Sequence, residues 1–402
     1  MTKRWIALIA ATAMLAVAAG CGGSSGGGGA GGGGNGGGGG SSTKVVSSIG
    51  KGEGALNLIA WQGYTEPDVV KPFEKSTGCQ VHVTYGQTSD EMVQLMRSGN
   101  YDGVSASGDA TNRLIAAGDV VPVDVQKLIP DWKDISPALQ SPPHNTVGGL
   151  HYGVSYEWGA DVLMYNTQVV KPAPTSWGVI FDGSSYKGKV DAYDSPIYIA
   201  DAAVYLKATQ PDLKITDPYE LTQEQLDAAT ELLKAQAPMV GKYWALYTDE
   251  IDGFVDGSMV VGTAWPVNLS YAEADAPVDQ VVPTEGVTGW ADTWMISANA
   301  PHPNCMLKWM DYTLRPDVQA QVAYWYGAAG SNTKSCDDLR DLLGKKYADL
   351  VDTVRYGNCG NAEFLNAIYL WKTPEANCHD DRGDVCMDYS VWQQKWTEIR
   401  GA

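Results

Sequence analysis

From Ala55 onward the chain alternates between two apolar spacings. In ALNLIAW, Leu56, Leu58 and Ala60 recur every second residue, the period of a half-buried strand. TEPDVVKPFEKSTG predicts a short helix, with Thr65 as cap, Pro67 in the first turn and Gly78 as stop. CQVHVTY alternates again through Cys79, Val81, Val83 and Tyr85. SDEMVQLMRSG returns to helical spacing, with Met92, Leu95 and Met96 in one stripe and Gly99 at its end. YDGVSAS reads as a strand running into a polar turn, and TNRLIAAG as a helix. This alternation describes helices laid on a largely parallel sheet.

A second region of the same kind begins around GVSYEWGADVLMYN. KGKVDAYDSPIYIADAAVYL predicts a strand turning into a helix. TQEQLDAATELLKAQ opens on a T-x-x-Q capping box at Thr222 and Gln225. GSMVVGTAW and TGWADTWMISA read as strands. The late helices are CMLKWMDYTLRPDVQAQVAYWYG, broken near Pro316, and SVWQQKWTEIRGA, where Trp392, Trp396 and Ile399 share a face.

The first 54 residues have neither pattern. Lys3 and Arg4 precede WIALIAATAMLAVAAG, an apolar stretch too short and Ala-rich for a comfortable membrane span. Small residues Ala18, Ala19 and Gly20 then lead to Cys21. The pattern resembles a bacterial lipoprotein signal peptide. That resemblance implies removal of residues 1–20, a lipid on Cys21 and an extracytoplasmic protein anchored to the cell membrane. The alternative is an ordinary secretory signal cut nearby, and either way the chain is exported. Residues 21–54, mostly Gly and Ser, are expected as a flexible tether; about 30 such residues reach roughly 30 Å.

Setting Cys21 aside turns seven cysteines into six, an even set that reads as disulfides in an exported protein. Sequence leaves fifteen connectivities open. Close spacing favours Cys378 with Cys386 and then Cys336 with Cys359, which leaves Cys79 with Cys305. No C-x-x-C pair exists and the five His are scattered, so no metal site or cofactor is expected.

Charge narrows the partners. A net charge of −19 argues against binding nucleic acid or anionic lipid by charge. No G-x-S-x-G, H-E-x-x-H or Walker loop occurs, and no acid/base pair stands out, so an enzyme is not expected. Trp and Tyr number 14 and 21 against four Phe, a set suited to cation or carbohydrate surfaces as well as to a core. Three strand ends concentrate it: AWQGYTEP, GTAWPVN and GWADTW. Ligands of α/β sheets gather at such ends. CHDDRGDVC carries an Arg-Gly-Asp triplet, which keeps open a cell-surface interaction or adhesion role without small-molecule transport.

The runs YDGVSASGDATNRLIAAGDVVPVD, TSWGVIF, SYKGKV, TEGVTGWADTWMISANAP and LRPDVQAQVAYWYG, in that order, resemble the spermidine/putrescine-binding type of ABC-importer solute-binding proteins. The resemblance implies a two-lobed periplasmic-binding-protein-like α/β fold of type II, with a hinge between lobes. It implies lobe one at 55–155 and 291–336, and lobe two at 156–290 and 337–402. It also implies a monomer that passes a small organic cation or zwitterion to ABC permease subunits. By the same resemblance, Trp61 matches the family's aromatic residue after the first strand, with Gln62 and Tyr64 beside it. Ser107 matches its small hydroxyl residue, Trp265 and Trp290 its two tryptophans, and Asp292 its central amine-binding carboxylate. Other positions depart from the family. Ser195 and Tyr198 stand where it has two acids, Asp109 and Ala328 where it has tyrosines, and Lys372 where Gln is usual. One end of the slot is therefore expected to have lost negative charge, which disfavours long polyamines against a smaller cation or a zwitterion; Lys372 either meets a ligand carboxylate or points to solvent.

Overall fold

The computed structural model describes residues 45–182, 184–359 and 361–401. The expected signal peptide, the lipidation site Cys21 and the glycine run lie outside them. Two sheets organise the rest. The first runs in the order Ala329–Gly330, Val154–Ala160, Thr288–Ile296, Gly103–Ala106, Ala55–Ala60, Gln80–Tyr85, with Tyr369–Leu370 paired to Thr288–Ile296. The second runs Val278–Val281, Val162–Asn166, Val261–Ala264, Val190–Tyr193, Val240–Trp244. Pairings nearest the predicted strand–helix units are parallel, as helical crossovers require. Strands Val154–Ala160 and Thr288–Ile296 run antiparallel to each other and are buried at every residue, so each is covered on both faces.

These two strands carry the chain between sheets. Val154–Ala160 leads through Asp161 directly into Val162–Asn166, and Val278–Val281 leads back into Thr288–Ile296. The chain passes a third time after Tyr369–Leu370, and its last helix, Tyr389–Arg400, packs on Gln223–Gln236 beside the second sheet. The fold is thus two-lobed α/β.

Local signals mostly place the elements. Helix Pro67–Thr77 has Pro at its start and Gly78 at φ +75° as its stop, although Glu66 rather than Thr65 holds the cap position. The capping box at Thr222 and Gln225 forms. Pro316 separates helices Pro303–Thr313 and Pro316–Tyr326, which pack with Pro67–Thr77.

Residues 45–54 differ from the expected tether. Val46 pairs with the chain at Val123, and Ile49 packs on the core. Glu53 accepts from the backbone N–H groups of Asn304 and Cys305 at the start of helix Pro303–Thr313, where a carboxylate is favoured. A few apolar residues and one acid are enough to tie down a segment that its glycines marked as coil. Residues 337–402, expected with the second lobe, divide: helix Ser335–Leu343 packs on Pro316–Tyr326 around a small separate core. Disulfides join Cys79 to Cys305, Cys336 to Cys359 and Cys378 to Cys386. Among the described residues no helix is long and apolar enough to cross a membrane.

Candidate functional site

The site starts from an irregularity. The register between Thr288–Ile296 and Val154–Ala160 shifts between Ala291 and Thr293, so Asp292 sits opposite a bulge. The extra residue is on Val154–Ala160, where Tyr156 and Glu157 together face this one carboxylate, which is 3% exposed. Its Oδ2 accepts from the Tyr64 hydroxyl at 2.5 Å and its Oδ1 from Ser107 Oγ at 2.5 Å. Tyr64 comes from the loop after the first strand, and Ser107 from the start of helix Gly108–Ala117. Burial raises the Asp292 carboxyl most; hydrogen bonds from Ser107 and Tyr64 oppose this, Asp109 adds repulsion, and the result is about 7. The Trp61 indole N–H is near enough to favour the anion but makes no hydrogen bond.

Aromatic rings surround this acid. Tyr326 lies 5.1 Å from Tyr64 and 6.1 Å from Trp290, both edge-on. Gly159 faces Trp290, where a Cβ would come 2.6 Å from the indole Cζ2. Only glycine lets the ring lie across that strand. Asp109 is also buried: Oδ1 accepts from Ser89, and Oδ2 has no partner. Its charge acts on both Asp292 and Asp161.

Trp265 belongs to a second group. It stands edge-on to Trp244 at 4.8 Å and Tyr193 at 5.2 Å, and Tyr193 stacks on Trp371 at 5.8 Å. Asp161 Oδ2 accepts from the Trp371 indole at 2.9 Å and meets Thr288 Oγ1 at 2.6 Å. The same hydroxyl lies 2.5 Å from Asp201 Oδ1. One hydroxyl carries one hydrogen, so one of these acids holds a proton. Burial raises both carboxyls, Asp161 to about 6. Asp161, Thr288 and Trp371 each come from a different passage between the sheets.

The structure thus brings Trp61, Tyr64, Ser107, Trp290 and Asp292 together, with Asp109 nearby and Trp265 in the adjoining aromatic group. Gln62 is exposed beside Trp61. Ser195 instead caps the turn Pro196–Tyr198. Tyr198 turns into the second lobe, its hydroxyl meeting Gln236 and its ring packing on Phe181 and Trp396. Lys372 is taken by Asp217 at 2.9 Å and Glu220 at 2.5 Å. Its neighbours face the other way: the Trp371 indole reaches Asp161 and Thr373 Oγ1 reaches the Asp109 carbonyl. Gly108 lets this tail segment approach, since a Cβ there would overlap the Trp371 carbonyl oxygen. The expected loss of negative charge is therefore offset by acids that the sequence reading missed, Asp161 and Glu157. The available signal was an acid inside an otherwise uncharged strand, VSYEWGA. The Arg382 of the Arg-Gly-Asp triplet is bonded to Asp380 and to the Glu220 carbonyl.

Comparison with known proteins gives a consistent picture. The model of a family described as bacterial extracellular solute-binding protein matches residues 68–350. The spermidine/putrescine-binding periplasmic protein of Escherichia coli K12 is 28% identical over 294 residues, covering 72% of this chain and 80% of its own. The Tp0655 (TpPotD) lipoprotein of Treponema pallidum superposes with a TM-score of 0.68 at 18% identity, over 87% of this chain and 100% of its own. The spermidine/putrescine substrate-binding protein PotD of Streptococcus pneumoniae does so at 0.67 and 17%, over 86% and 97%. At those identities the structural likenesses speak for the fold.

Proposed function

The chain belongs to the bacterial extracellular solute-binding proteins, and we propose that it captures a small organic cation between its two lobes and hands it to ABC permease subunits. Proteins of this family and these relatives bind solutes and are not enzymes. The observation that carries the reading is Asp292: a buried carboxylate, oriented by two hydroxyls, ringed by Tyr64, Tyr326 and Trp290, with no ion pair among the described residues. A cationic ammonium group would supply the missing charge, and each aromatic face would add about 0.5–2 kcal/mol. Lobe closure would exclude water and strengthen both contacts. A lipid on Cys21 would keep the monomer beside its permease. Adhesion through the Arg-Gly-Asp triplet is disfavoured, because Arg382 is already engaged.

A thermal-shift panel tests the reading. A ligand present at 100 times its Kd stabilises the native state by about 2.7 kcal/mol, a readily measured rise in Tm. Putrescine or spermidine is expected to raise Tm strongly, and organic anions of the same length to leave it unmoved. A response to anions or neutral sugars alone would overturn the assignment.

A further inference from the structure

Strand Val154–Ala160 is buried throughout, and one of its residues is an acid. Glu157 is 1% exposed, and neither Oε1 nor Oε2 has a hydrogen-bond partner. No Lys, Arg or His acts on it; the charge it feels is that of Asp292. Its own charge is felt by the hydroxyls of Tyr64 and Tyr156. The irregularity in the pairing sets Tyr156 and Glu157 together opposite the single residue Asp292. Glu157 thus lies directly across the strand pair from Asp292, next to Gly159, which meets the Trp290 indole.

Such a residue costs the fold free energy. A buried carboxylate with neither oxygen satisfied is expensive as an ion, and two acids facing one space cannot both ionise without a cation. An apolar residue would suit the strand better. In the free protein burial keeps the Glu157 carboxyl protonated, and an arriving cation lets it ionise.

We propose that Glu157 is the second acid of a two-carboxylate seat that it forms with Asp292, so that the site takes amines of net positive charge, such as diamines and triamines, in preference to zwitterions. This rests on the cation-binding reading above and sharpens it. One carboxylate balances one ammonium group. A second leaves the seat negative, which attracts a further ammonium group and repels a ligand carboxylate.

The experiment is isothermal titration calorimetry of the full exported protein with putrescine, spermidine and glycine betaine. Wild type is compared with Glu157→Gln and Glu157→Leu, in two buffers of different ionisation enthalpy. Both variants are expected to lose about tenfold or more in amine affinity while betaine binding holds or improves. Wild type is expected to release more protons than Glu157→Gln on binding the same amine. The ligand-free Tm of both variants should equal or exceed that of wild type, because an unpartnered buried acid has been removed. Amine affinities within about twofold of wild type in both variants would overturn the seat and leave the cation reading standing. Equal losses for all three ligands together with a lowered Tm would mark Glu157 as structural and also overturn it. Wild type binding none of the amines would bring down the cation reading, and this proposal with it.

Discussion

Two clusters of acids, one around Asp292 and one around Lys372, meet opposite surroundings. On the first-lobe side, Asp292 receives two hydroxyl hydrogen bonds and no cation, and Glu157 receives nothing. On the second-lobe side, Asp194 accepts from the Trp396 indole and pairs with Arg400, while Asp217 and Glu220 hold Lys372. The second set is complete within the protein. The first is complete only when something enters. Being short of partners is not enough by itself, since Asp191 inside the second sheet is buried and unpartnered too; what sets Asp292 and Glu157 apart is that they face each other beside the aromatic rings.

The hardest blow to that contrast would come from Asp292→Asn. It removes the charge and presents an amide N–H to hydroxyls that now donate. Amine affinity is expected to fall by about 100-fold or more, measured by calorimetry. A loss under tenfold would mean that Asp292 is not the main anchor. A pH series gives a smaller but more specific test. The Asp292 carboxyl lies at about 7 in the folded protein against 3.8 for the free side chain. The folded state therefore holds a proton that the unfolded chain releases. This stabilisation is full below the unfolded value and is lost as pH rises through about 7. Between pH 4 and 7 the ligand-free Tm should fall more steeply, or rise less, in wild type than in Asp292→Asn. The Tm increase caused by an amine should grow over the same range, since the amine needs the ionised acid. The reverse ordering of slopes would contradict the assignment. The smallest effect on binding is expected from Lys372→Met. Amine affinity should stay within about twofold, while denaturant unfolding shows a loss of about 1–3 kcal/mol from depriving Asp217 of its cation and leaving Glu220 with Arg382 alone. A tenfold change in affinity would place Lys372 in the site after all.

Much of this was readable along the chain. Periodicity gave the alternating units, Pro316 divided the late helices, and the resemblance led to Trp61, Ser107, Trp290 and Asp292. What could not be read depends on register and on distant partners. Whether Lys372 faces the ligand or the second lobe follows from strand parity, which one bend reverses. Its partner Glu220 lies 152 residues away. Tyr198 was placed by aligning it with an acid, but a tyrosine can bury its ring where a carboxylate cannot, and here it does. Glu157 stood in plain view within VSYEWGA. Only the packing of a second strand over the same face shows that its oxygens meet no donor.

The bridge between Cys79 and Cys305 has a consequence for the order of assembly. The two cysteines are 226 residues apart, and every strand of the second sheet lies between them. Once formed, the bond makes the first lobe a covalent ring from which the second projects as a loop, worth about 5 kcal/mol in the chain-entropy account. During synthesis from the N-terminus, Cys79 emerges early and has to wait. Cys336 and the three cysteines after it are not yet available, so among the six bridged cysteines the thiol meets no rival before Cys305 arrives. By then every strand of the second sheet has been made, and the last passage with helix Tyr389–Arg400 is still to come. The first lobe is begun first and closed around a sheet whose strands are all in place.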